Sequence, residues 1–124
     1  MLYSSTNLDI KLNLELGEHV IEFVFKEHFT REASQKGAEI WKSIFDRNPT
    51  IQYILVWNCE AMSGFDPGAR KEWYQCIKLY KNRIDLIHVV ARHLIIRGAA
   101  KVMLEVFGIK SNMVRSYDEL LELA

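Results

Sequence analysis

The 124-residue chain is short of several things, and each shortage excludes a class of function. Acidic and basic residues balance at 16 each, so no net field draws the chain to nucleic acid or to an anionic membrane. The same balance leaves nothing to repel one copy from another, so a homodimer stays open. The two cysteines, Cys59 and Cys76, form no CxxC pair and no zinc spacing, which fits reduced thiols in a cytoplasmic protein. No apolar run approaches the roughly 18 residues of a membrane span. The first residues, Met1–Asn7, lack the basic and apolar regions of a signal peptide. There is no repeat, low-complexity tract or linker. His19, His28, His88 and His93 show no i,i+4 pair of the kind that holds a metal on a helix. Gly64-x-x-x-Gly68 lacks the Lys-Ser/Thr of a phosphate loop. Neither cofactor nor metal is expected, nor any enzyme activity.

What is present is a globular composition, 49% apolar and 26% charged, at a length that suggests one domain over residues 1–124 with an ordered core from about residue 8. Ile51–Trp57 is short, β-branched and aromatic, and follows Asn48-Pro49; it reads as a strand buried on both faces. A polar turn over Asn58–Phe65 is expected next, then a helix from Pro67 to Tyr80 with Asp66 as its N-cap and Pro67 at N1. Leu8–Leu16 alternates strictly and predicts a half-buried edge strand, paired antiparallel with Val20–Phe25. Thr30 caps a helix to about Arg47 whose inward stripe is Ala33, Gly37, Trp41, Ile44 and Phe45. Ile84–Ala91 is a further strand. Ile95–Phe107 is a helix with Ile95, Ala99, Met103, Val106 and Phe107 inward, closed by Gly108. Asn112–Arg115 is a last short strand. Ser116-x-x-Glu119 is a capping box for a final helix pinned by Leu120, Leu121 and Ala124. Strands alternating with helices predict an α/β fold with a mixed sheet of about five strands, mostly parallel, with four helices and an antiparallel N-terminal edge strand.

This order resembles the STAS family, the anti-sigma factor antagonists with the SpoIIAA-like fold. The resemblance rests on the buried strand before Asp66-Pro67-Gly68-Ala69, on Asn58 near the end of that strand, on Val106-Phe107-Gly108-Ile109 and on Ser116-Tyr117-Asp118-Glu119. It runs from about Leu8 to the end. Family members carry Asp-Ser-Ser-Gly where this chain has Asp66-Pro67-Gly68-Ala69, and a kinase phosphorylates the second serine. Pro67 and Gly68 accept no phosphoryl group, and the family's Gly-x-Leu-Asp signal is missing around Lys26–Phe29. The resemblance therefore implies a non-catalytic, bacterial, cytoplasmic signalling domain that binds a regulatory protein without a phosphoserine switch. The fold is shared by lipid-binding CRAL-TRIO domains, which implies a small apolar ligand as the alternative.

The expected contact surface is the turn and helix start, Asn58, Met62, Ser63, Phe65, Asp66, Gly68 and Arg70, with Arg92 and His93 on the same rim. Each has a plainer reading. Asp66 is first a helix cap. Ser63, the one hydroxyl of the turn, is a turn serine before it is a phosphate acceptor. Met62 and Phe65 suit either core or interface. Cys59 in that turn would gain thiolate character from a helix N-terminus. Cys76, Trp41, Trp57 and Trp73 fall on buried faces.

Overall fold

In a computed structural model, described over residues 1–123, six strands form one sheet in the order β1-β2-β3-β4-β5-β6. The strands are β1 (Tyr3–Ser4), β2 (Leu8–Leu12), β3 (Val20–Phe29), β4 (Tyr53–Phe65), β5 (Ile84–Val90) and β6 (Ser111–Val114). The helices are α1 (Arg31–Arg47), α2 (Pro67–Tyr80), α3 (Leu94–Val106) and α4 (Tyr117–Leu123). β1 and β2 run antiparallel to their neighbours; β3 to β6 are mutually parallel. The fold class is as expected, with one strand more: Tyr3–Ser4 pairs ahead of Leu8.

The strands lie side by side in chain order, and right-handed crossovers then place every connecting helix on one face. The buried side chains agree. Phe23, Leu55, Ile87 and Val89 of the sheet share a cluster with Trp41 of α1, Trp73 and Ile77 of α2, and Ile96 and Leu104 of α3. Five aromatic rings, Phe23, Phe25, Phe29, Trp41 and Trp73, meet largely edge to face at the centre. Gly37 lets α1 close on this knot: a Cβ there would stand 2.5 Å from Leu8 and 3.2 Å from the Trp73 ring. The opposite face carries a smaller cluster, Val20, Val56, Val90 and Val114, covered by Leu120 of α4.

Most local signals act as read. Thr30 Oγ1 accepts from the Ala33 amide, Ser116 Oγ from the Glu119 amide, and Gly108 takes φ 65° behind α3. Glu119 reaches back to the Arg115 amide. Leu120 pins α4; Ala124, expected to help, lies outside the described residues.

Three expectations fail. β2 stops at Leu12, because the Asn13 side chain turns the chain by accepting from the Leu16 amide; Leu14 is 73% exposed. In α3 the inward row is Ile96, Ala100, Met103 and Leu104; Met103 and the half-buried Phe107 pack inward as expected, but Ile95 and Val106 face out. The helix is apolar on both sides, so periodicity gave no single answer. The polar stretch after Trp57 is not a turn but the second half of β4.

Candidate functional site

β5 pairs with β4 only up to Asn58, opposite Val90. β4 continues for seven more residues, Cys59–Phe65, paired to β3 alone. The two strands form an overhang at the carboxyl end of the parallel sheet. Polar residues are allowed there because one side of β4 has no neighbouring strand; Glu60, Ala61 and Ser63 are exposed. The ladder shifts register twice, between Val24 and Lys26 and between Glu27 and His28. Glu27 takes φ 55°, a left-handed conformation disfavoured for a side-chain-bearing residue. The bulge turns His28 toward α2 while Phe25 and Phe29 both stay in the core, rings 4.8 Å apart.

His28 Nε2 lies 2.7 Å from Oδ1 of Asp66, and Oδ2 of Asp66 accepts from the Arg31 amide at 3.0 Å. Asp66 occupies the N-cap position of α2 but makes no side-chain bond to that helix. The expected cap is thus corrected: Pro67 offers no amide, the Asp66 carbonyl already accepts from Ala69, and the carboxylate caps α1 instead. The His28 hydrogen bond, then the Arg31 amide, holds the Asp66 carboxyl below the usual carboxylate range. Gly64 makes room for the imidazole, since a Cβ there would stand 3.2 Å from Nδ1. The Arg31 stem crosses Gly68 at 3.0 Å from where its Cβ would be. Ser34 Oγ donates to the Ala69 carbonyl at 2.7 Å and binds the two helix starts together.

Met62 and Phe65 are half-buried and pack on the core margin. The Arg70 guanidinium lies 6.0 Å from the Phe65 ring centre and 5.8 Å from that of Tyr74. Asn58 is held from below: its Nδ2 donates to Glu22 Oε2 at 3.0 Å. Glu22, only 2% exposed, also accepts from Asn13 Nδ2 at 2.9 Å, and Asn13 Nδ2 donates to the Tyr117 hydroxyl at 2.8 Å. The Tyr117 amide in turn donates to the Glu60 carboxylate. A polar chain, buried at Asn13 and Glu22 and exposed at Glu60, thus ties β3, β4 and α4 together on the less covered face.

Asn58, Met62, Ser63, Phe65, Asp66, Gly68 and Arg70 therefore form one continuous strand-and-helix segment. Arg92 and His93 leave β5 at the level of Asn58, beside the root of the overhang rather than its tip. His93 Nδ1 accepts from the Ile95 amide as the N-cap of α3. Cys59 corrects a second expectation. Its side chain points into the core, its Sγ 3.7 Å from the Trp57 carbonyl, and burial pushes the thiol up to about 12, so no thiolate forms. His28, Arg31 and Glu22 were missed. Glu22, an acid inside the run Val20–Phe25, was the one legible signal.

A small apolar cavity of about 60 Å³ lies beneath α3, walled by Phe25, Trp57, Met62, Phe65, Ile96 and Met103 among others. Sites for drug-sized ligands usually measure about 300–1,000 Å³. Among the described residues no helix is long and apolar enough to cross a membrane.

No family model matches the chain, and no curated protein matches it in sequence. The chain is similar in structure to an uncharacterized protein of the DUF3478 family with a SpoIIAA-like fold, from Shewanella loihica PV-4, known from a crystal structure. The TM-score is 0.78 at 10% sequence identity, over 99% of this chain and 98% of that one. The fold is thus SpoIIAA-like.

Proposed function

We propose that this chain is a non-catalytic regulatory domain that binds a protein partner through the overhang of β3 and β4 and the start of α2. One observation carries the reading: seven residues of β4 stand beyond β5 with no strand on that side, and they end in half-buried Met62 and Phe65 beside Arg70. Half-buried apolar side chains next to an arginine are the composition of interface cores. Met62, Ser63, Phe65, Gly68 and Arg70 make the contact, Asn58 and Asp66 hold it in shape, and Arg92 and His93 extend its root. The helix start offers no phosphoacceptor, since Pro67 and Gly68 occupy its first turn. Binding is therefore constitutive rather than switched by phosphorylation there.

The test compares the wild-type chain with Ser63→Arg and Arg70→Glu as bait in a lysate of the source cells, with thermal melts as the folding control. A protein held by wild type and lost by both folded variants supports the reading; a partner indifferent to both sinks it. The apolar cavity supports a second reading, a small apolar ligand held beneath α3. At about 60 Å³ it takes a few heavy atoms rather than a lipid chain. Native mass spectrometry that finds a co-purifying small molecule would favour that reading.

A further inference from the structure

α3 carries more apolar surface than its core contacts require. Its inner row is buried, yet Leu94 is 82%, Ile95 69%, Val102 51% and Val106 64% exposed. Ile95, Gly98, Val102 and Val106 follow one another at spacings of three, four and four, so they form one stripe. Gly98 lies mid-stripe with open space above it, which allows another helix to approach closely.

The charges around α3 oppose the helix's own dipole. Arg92 stands at its N-terminus, Lys101 past its middle and Glu105 in its last turn; the first turn holds no acid and the last turn no base. For a single helix that arrangement is mildly unfavourable. For two copies packed antiparallel it is reversed. Glu105 then lies over the first turn of the other copy near its Arg92, and Ile95 packs against Val106 while Gly98 receives Val102. The pairing is isologous, as a two-fold dimer requires. Zero formal charge removes long-range repulsion between the copies.

We infer that the exposed face of α3 is a self-association surface, whose occupant is α3 of a second copy packed antiparallel across a two-fold axis. A helix of 13 residues spans about 20 Å, so the contact falls short of the roughly 800 Å² per partner of a standard interface. The dimer is accordingly weak and exchanging. It shares Arg92 with the root of the proposed partner site but not Val102, Val106 or Glu105, so Val102→Glu tests the dimer without touching that site.

The test is sedimentation of the full chain from low micromolar to near-millimolar concentration. The apparent mass should rise from that of a monomer toward twice it. Val102→Glu, at an exposed position that leaves the core intact, should weaken the dimer by on the order of tenfold or more with an unchanged circular dichroism spectrum. Glu105→Arg should weaken it, and Arg92→Glu combined with Glu105→Arg should restore it, because the swap re-pairs the charges. A monomer at every concentration, or a dimer indifferent to Val102→Glu and to the swap, overturns the inference. A monomer that co-sediments with phosphatidylcholine vesicles, and loses them on Val102→Glu, also overturns it and gives the face to lipid.

Discussion

His28 Nε2 and Asp66 Oδ1 stand 2.7 Å apart and join the end of β3 to the start of α2. The other oxygen of Asp66 holds the first amide of α1, so one exposed carboxylate fastens three elements. Its depressed pKa fixes the sign of its pH dependence. The stabilisation is present above the ordinary aspartate value of about 3.9 and is lost as pH falls through the lower folded value. Asp66→Asn should therefore melt below wild type at neutral pH, and the gap should close on acidification below about pH 4. A gap that stays constant down to that range would mean the carboxylate charge contributes nothing.

His88 has the opposite charge type and the same direction. Burial holds its pKa below the ordinary value, and Asn112 Nδ2 lies 3.2 Å from Nδ1. The unfolded chain takes up a proton before the folded one, so stability should fall as pH drops below about 6.5. Urea midpoints at pH 7.5 and 5.5 measure this, and His88→Gln should flatten the difference.

Glu22→Ala should cost about 1–3 kcal/mol, because the buried Asn13 amide loses one of its two acceptors and the half-buried Asn58 amide loses its acceptor. Glu22→Gln should cost less, since one acceptor oxygen survives. Chemical denaturation of the pair measures the difference. Equal losses would assign the effect to charge rather than to unmet hydrogen bonds.

Two glycines separate packing from propensity. Gly37→Ala should destabilise by about 1–3 kcal/mol despite the better helix former, because the new methyl meets Leu8 and the Trp73 ring. Gly68→Ala meets only the flexible stem of Arg31, so it should be neutral or gain up to about 0.5 kcal/mol. Thermal melts of both variants decide it.

Cys59 and Cys76 should resist thiol reagents in the native chain, since burial pushes them up to about 12 and about 11. Labelling with a disulfide reagent should proceed only as fast as the chain opens, and rapidly in denaturant. A prompt native reaction at one thiol would restore Cys59 as a reactive group.

The element order, the caps at Thr30 and Ser116, the stop at Gly108 and the buried tryptophans were legible because each is a local signal. The overhang was not. Glu60, Ser63 and Gly64 read as turn residues, and only pairing of Ala61–Phe65 to the equally polar Lys26–Phe29 makes this stretch a strand. That pairing joins residues more than thirty positions apart, which no local pattern reports. The segment expected as a turn is therefore a strand edge. The facing of α3 was hidden for another reason: a helix apolar on both sides has no unique inner row. The pairing of His28 with Asp66 was hidden by a bulge, which re-aims a side chain against the alternation of its strand.

The sheet is laid down in the order in which the chain is written. Every pairing closes only one hairpin or one crossover, so no strand waits for a distant partner before it can dock. The entropy cost of each closure is small and nearly equal, and rates of folding follow such short separations. The long β3–β4 ladder is the natural seed, with strands added outward on either side like planks on a raft. A circular permutant that cut the chain between β3 and β4 would separate the seed strands to opposite ends, and should slow folding far more than one cut between β5 and β6.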